Sequence, residues 1–147
     1  MDKKRIVWID DNINTSIFKP YVDEFEDNGI EIIKIKSVTG IIERLIKEAE
    51  NTLSAILVDI IMPSEDLDFG ETKGGLRTGM VVLERIMEED SLKSIPNIVV
   101  TNADDDIIRE FCNSKRIKYL KKSDYFSEEF VKEVKEVIED FYKNDEL

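Results

Sequence analysis

Five short apolar runs, each followed by a segment with apolar residues at helical spacing, constrain the fold of this chain more than any other feature. They are "RIVWI" (5–9), "IEIIKIK" (30–36), "AILVDIIMP" (55–63, closing on Pro63), "NIVVTN" (97–102) and "IKYL" (117–120). Continuous apolar runs of this length are the signature of strands covered on both faces. The intervening helices carry Ile17, Phe18, Tyr21, Val22 and Phe25; then Ile41, Ile42, Leu45, Ile46 and Ala49; then Met80, Val81, Leu83, Ile86 and Met87; then Ile107, Ile108, Phe111 and Cys112. A last helix follows Ser127. An alternating (βα)₅ pattern with short connections predicts an α/β fold, a parallel five-stranded sheet wrapped by helices on both faces.

Local signals set the expected boundaries. Pro20 predicts that the first regular helix begins near it or kinks there, and Asn28-Gly29 ends it. Ser37 or Thr39 is the expected cap of the second helix, Thr78 of the third, and Asp104 the expected start of the fourth. Glu128 and Glu129 suit the positive end of the last helix, where Phe126 is expected to staple to Val131.

Right-handed crossovers place the carboxyl ends of all five strands on one edge, where ligands bind in such sheets. Asp10, Asp11, Asp59, Thr101 and Lys122 all fall at or just past strand ends. Singly, each has an ordinary reading: a turn aspartate, a strand threonine, a surface lysine. Together they do not. If strands one and three are neighbours, three carboxylates converge and raise one another's pKa. A hard divalent cation resolves that conflict, and Mg²⁺ is typically held by one or two carboxylates with phosphate oxygens and water. With a lysine and a hydroxyl added, the set suits phosphoryl transfer, in which a carboxylate can be the nucleophile.

Composition narrows the classes. The charge of −12, from 33 acids and 21 bases, argues against a direct nucleic-acid partner. The absence of histidine excludes His triads, His metal sites and a phosphohistidine carried by this chain. No apolar run approaches the ~20 residues that span a bilayer, so no membrane association is expected. A lone cysteine, Cys112, cannot form an intramolecular disulfide, which suits a reducing cytoplasm. The chain is read as one domain over 1–147 with no output domain.

Four motifs in order carry a resemblance to a known family: "DD" (10–11) after strand one, "VDIIMP" (58–63), "VVTNA" (99–103) and "YLKK" (119–122). In these the chain resembles the stand-alone, CheY-like receiver domain of two-component response regulators, across essentially its whole length. The resemblance implies a doubly wound sheet of flavodoxin-like strand order 2-1-3-4-5. It implies Asp59 as phosphoacceptor, with Lys122 and Thr101 assisting. Mg²⁺ would be bound by Asp11 directly, Asp10 through water, Asp59 and the Ile61 carbonyl. Thr101 and Tyr119 match the pair that shifts together when phosphate arrives. The implied partners are a histidine kinase or phosphotransfer protein as donor and a protein target docked around helix four, strand five and helix five; homodimerisation stays open. Such a chain is no enzyme beyond its own aspartyl phosphorylation and dephosphorylation.

Three features depart from the family pattern. Ser123 replaces a usual proline, Asn102 replaces a small residue after Thr101, and "SEDLDFGETKGGLRTG" (64–79) replaces a few residues with a long glycine-rich loop. That loop, inserted at about 64–78, is read either as a tolerated surface insertion or as a lid over Asp59, with Lys73 and Arg77 able to reach the acids. Rival readings are a receiver-like interaction module that is never phosphorylated, and a Mg²⁺-dependent phosphohydrolase. Phosphohydrolases similar to the haloacid dehalogenase group carry D-x-D after strand one, whereas here the aspartates are adjacent and followed by Asn12. A flavin-binding loop would need hydroxyls and amides where two acids stand.

Overall fold

The computed structural model describes residues 3–145. The five apolar runs form β1 (Lys4–Ile9), β2 (Ile30–Ile35), β3 (Ala55–Val58), β4 (Asn97–Thr101) and β5 (Lys118–Lys121). They pair in parallel as one sheet in the order β2-β1-β3-β4-β5. The helices are α1 (Lys19–Asp27), α2 (Ile41–Ala49), α3 (Thr78–Glu88), α4 (Asp106–Lys115) and α5 (Ser127–Asp145). The fold class is the one the strand and helix pattern predicts, and the strand order is the one the resemblance implies.

Strand periodicity divides the core. Ile6 and Trp8 of β1, Ala55 and Leu57 of β3, Ile98 and Val100 of β4 face α1 and α5, where Phe18, Val22, Phe25, Phe130 and Val134 cover them. Val7, Ile9, Ile56, Val58 and Val99 face the other way, against Leu45, Val82, Leu83, Ile86 and Ile108 of α2, α3 and α4. Crossover helices on both faces are what make β1, β3 and β4 buried along nearly their whole length.

Several helix starts differ from expectation, each for a local reason. Pro20 is accommodated in the first turn of α1, where its missing N–H leaves nothing unsatisfied. Ile17 therefore lies in the turn before the helix rather than on its apolar face, and is 76% exposed. Neither Ser37 nor Thr39 caps α2; their hydroxyls bond each other at 3.0 Å, and Gly40, in a left-handed conformation at φ 59°, is the cap residue. Its N–H donates to Asp66 Oδ2 at 2.9 Å, a partner 26 positions away. Thr78 does not cap α3 either, because its buried hydroxyl donates to the Met62 carbonyl.

Asp105, not Asp104, caps α4: its extended backbone lets Oδ1 accept from Ile108 N at 2.9 Å. Asp104 instead pairs with Arg109 at 2.6 Å and Lys121 at 3.8 Å. Phe126 is 82% exposed, so no staple to the buried Val131 forms. β3 ends five residues before Pro63, since Ile60 N turns back to the Asp59 carboxylate instead of continuing the ladder.

The 64–77 segment is not structureless. Its base is closed by Met62 N donating to Gly75 O and by the Thr78 bond to Met62 O. Thr72 is buried inside, with Ser64 and Thr72 hydroxyls bonded to each other, and Leu67 packs on the aliphatic side of the core.

Candidate functional site

Asp10 and Asp59 reach the same point because β1 and β3 are neighbours in register, Ile9 opposite Val58. Backbone bonds fix both: Asp10 N donates to Ile35 O and Asp59 N to Ile9 O, each at 3.0 Å. Asp10 is fully buried and Asp59 is 6% exposed. Burying two carboxylates is unfavourable without compensation, and the compensation present is Lys122, the residue just past the end of β5. Its Nζ donates to Asp10 Oδ2 at 2.6 Å and lies 3.4 Å from Asp59 Oδ2. The other oxygen of Asp10 accepts from Asn12 N, and Asp59 Oδ1 accepts from Ile60 N at 2.8 Å.

One lysine does not balance three acids. Asp10, Asp11 and Asp59 each place a carboxylate oxygen within 4.8 Å of the others. Burial first, and then the Asp10 charge, push the Asp59 carboxyl up to about 6, although Lys122, the Thr101 hydroxyl and Ile60 N–H pull the other way. Asp11 is raised as well, by burial and by Asp10. Repulsion that the protein's own groups leave uncompensated, among hard oxygen donors converging on one point, fits a small divalent cation.

Thr101, at the end of β4, is buried, and its Oγ1 accepts from Ala103 N at 3.1 Å. The Tyr119 ring packs against the aliphatic side of the core, with its hydroxyl donating to Ala103 O at 2.8 Å. The two expected switch residues thus meet at one backbone residue, Ala103. Arg77 does not reach the acids. It pairs with Asp105 at 3.0 Å, tying the inserted segment to the cap of α4.

Three contributors escaped the sequence reading. Lys122 Nζ lies 5.0 Å from the Phe18 ring centroid, a cation–π contact that steadies the ammonium. Ser123 N donates to Asn102 Oδ1 at 2.9 Å, so two of the departures from the family pattern are bonded to each other, through an N–H that proline lacks. Gly79, the last residue of the glycine-rich 64–79 stretch, is a close-approach position: a Cβ there would stand 2.0 Å from the Asp59 carbonyl oxygen. Its N–H donates to Ile60 O at 2.9 Å, which presses the start of α3 against the backbone of the site. The Thr78-Gly79 pair at a helix start was the one available signal.

Neither a protein-family model nor a curated protein matches the sequence. Solved structures do. A response regulator receiver domain protein (CheY-like) from Methanospirillum hungatei superposes with a TM-score of 0.71 at 21% identity, covering 97% of this chain and 98% of its own. A response regulator from Desulfuromonas acetoxidans gives 0.70 at 13% identity, covering 92% and 97%. The chemotaxis protein CheY4 of Vibrio cholerae gives 0.67 at 16%, covering 92% and 98%. The chain has the fold of CheY-like response regulator receiver domains. No helix among the described residues is long and apolar enough to cross a membrane.

Proposed function

We propose that this chain is a phosphorylation-dependent signalling receiver whose phosphoacceptor is Asp59. The observation that carries the reading is the convergence of Asp10, Asp11 and Asp59 within 4.8 Å, with Lys122 bonded to two of them, at the carboxyl edge of a receiver-type sheet. An Asp59 oxygen attacks the phosphorus of a phosphohistidine or of acetyl phosphate. The O–P bond forms, the bond from phosphorus to the donor's leaving atom breaks, and an acyl phosphate results. Lys122, already 3.4 Å from Asp59, neutralises charge on the transferred group, and the Thr101 hydroxyl donates to one of its oxygens.

Asp10, Asp11, Asp59 and the Ile61 carbonyl are the residues that would hold Mg²⁺. The ion supplies charge neutralisation for both the crowded carboxylates and the incoming phosphoryl group. When Thr101 turns toward the phosphoryl group it gives up its bond to Ala103 N, and Tyr119, bonded to the same residue, follows inward. The output is docking of a protein target around α4, β5 and α5, with a histidine kinase or phosphotransfer protein as donor. The Arg77–Asp105 pair links the inserted segment to α4 and so to that output surface.

Intact-mass spectrometry after incubation with acetyl phosphate tests the reading. A Mg²⁺-dependent gain of one phosphoryl group, about 80 Da, that is lost in Asp59→Asn is expected. No adduct under conditions that trap short-lived species would leave an interaction module that is never phosphorylated.

A further inference from the structure

Lys122 supplies the ammonium of the site from a place where the sheet lets go of the chain. The β4–β5 ladder ends with Thr101 opposite Lys121, so Lys122 is the first residue past it. It opens a single 3₁₀ turn, Lys122–Asp124, whose closing bond from Tyr125 N to Lys122 O is 3.4 Å long. Ordinary amide bonds measure about 2.9–3.0 Å, so that turn holds the residue loosely. The lysine side chain is a flexible four-carbon stem. It has to carry its ammonium from beyond β5, past β4, to Asp59 after β3 and Asp10 after β1. Over that reach a small rotation at the backbone displaces Nζ far more than it moves the main chain. Phe18, 5.0 Å from Nζ, steadies only the far end.

Asn102 supplies what the ladder no longer does. Its Oδ1 accepts from Ser123 N at 2.9 Å. That N–H belongs to the planar peptide joining Lys122 to Ser123. The bond therefore fixes the peptide on the carboxyl side of Lys122, as the ladder fixes the strand on its amino side, and sets the direction in which Cα presents the side chain. Only the oxygen of the carboxamide can accept, so the orientation of Asn102 is set as well. Both residues are exposed, where water competes for the same groups, so the bond adds little to folding. Its effect is on direction.

We propose, granted Asp59 as the phosphoacceptor, that Asn102 is a positioning residue for phosphoryl transfer: by holding the Lys122–Ser123 peptide it keeps the Lys122 ammonium over Asp59. Asn102 acts through the lysine and not on the phosphoryl group.

Two measurements test this. In protein carrying lysine labelled with ¹³C at Cε, the two Hε protons of Lys122 are inequivalent while the ammonium is held and merge as the stem gains freedom. The signal is assigned by its loss in Lys122→Met. Recorded without Mg²⁺ or phosphoryl donor, wild type and Asn102→Asp, which keeps an acceptor oxygen, should show the inequivalent pair, and in Asn102→Ala its separation should narrow. Asn102→Leu serves if Asn102→Ala fails to fold. The second measurement is the rate of adduct formation with acetyl phosphate and Mg²⁺. Misplacing a reacting group by about 1 Å can cost about 100-fold, so the partial loosening in Asn102→Ala should slow the reaction about tenfold. Asn102→Asp should recover most of that rate at high ionic strength, where its added exposed charge is screened. In a Lys122→Met background, Asn102→Ala should change the rate by less than about twofold.

An unchanged Lys122 signal in Asn102→Ala overturns the proposal, as does a merged pair in wild type or an Asn102→Asp variant that behaves like Asn102→Ala. A tenfold loss that persists in the Lys122→Met background overturns it too, because Asn102 would then act on the phosphoryl group itself. No adduct on wild type would overturn the function proposed for Asp59, and the Lys122 signal, recorded without donor, would still decide whether Asn102 holds the lysine.

Discussion

On the side of the sheet covered by α1 and α5, the buried residues include Trp8, Phe18, Phe25 and Phe130, with Tyr21 and Tyr125 packed against them. On the side covered by α2, α3 and α4, the fully buried residues are aliphatic apart from Met62 and Cys112, and rings enter only as the half-buried Phe111 and Tyr119 packed against them. The branched chains of one side interdigitate, whereas the rings of the other meet mostly edge to face, Trp8 against Phe18 and Phe25 and Phe130 against Tyr21. The functional residues divide in the same way. Asp10 follows Trp8 by two positions and shares its side with Lys122, which lies over Phe18. Thr101 follows Val99 by two, and the Tyr119 ring packs with the aliphatic side. The charged chemistry is thus set among rings, and the pair expected to report on it is set in the close-packed half.

The largest test of this division is deletion of a ring. Phe130→Ala should cost about 3–5 kcal/mol and change the Trp8 emission, whereas Ile86→Val on the opposite side should cost about 0.5–1.5 kcal/mol and leave that emission unchanged. Denaturant unfolding followed by fluorescence reads both. Similar spectral changes in the two variants would break the comparison.

Next in size is the buried charge. A raised carboxyl binds its proton more tightly in the folded than in the unfolded state, so Asp59 favours folding at low pH and that advantage is lost as pH rises from 3.8 through about 6. In the absence of divalent cations Asp59→Asn should therefore stabilise the protein at pH 7, by about 2–3 kcal/mol, and flatten the stability profile between pH 4 and 6. A wild-type profile without that fall would mean that Lys122 alone balances the acids.

Gly79→Ala tests how firmly the start of α3 is pressed onto the site. Overpacking of this kind costs about 1–3 kcal/mol, and because the displaced atom is the Asp59 carbonyl oxygen, phosphorylation by acetyl phosphate should fall with it. Unchanged phosphorylation would show that the site tolerates the shift. Smaller again is Tyr119→Phe on the aliphatic side, which removes the bond to Ala103 O and should cost about 0.5–1.5 kcal/mol. Finally, the thiol of Cys112, pushed up to about 11 by burial in that same half, should resist alkylation at pH 8 until the protein unfolds. Rapid labelling of the native state would show the close-packed half to be open.

The strands were legible because each is an uninterrupted apolar run, and a parallel sheet covered on both faces requires nothing else. The acids and Lys122 were legible because they close those strands, where topology alone brings them together. Helix starts were less so. The Gly40 N–H finds Asp66, and Thr78 finds Met62, at separations no local motif encodes. Ile17 fits the apolar pattern but precedes α1, and spacing cannot tell a residue one turn inside a helix from one just before it; Phe126 stands before α5 as read, but is exposed instead of stapled to Val131. The Asn102–Ser123 bond and the contact of Gly79 with Asp59 are likewise pairings that only the assembled sheet edge creates.

The bonds from Gly75 and Thr78 to Met62 pinch the inserted segment shut at its base, next to the acceptor strand. Beyond that pinch Asp66 holds the start of α2, Leu67 packs on the core and Thr72 is buried, so only the exposed tip, residues 68–71, stands clear of the core. That tip is therefore the natural port for grafting a tag or reporter, provided that Met62, Asp66, Leu67, Thr72, Gly75, Thr78 and Gly79 are left as the frame. A reporter carried there would ride on the same body as Arg77, and so on the partner of the α4 cap.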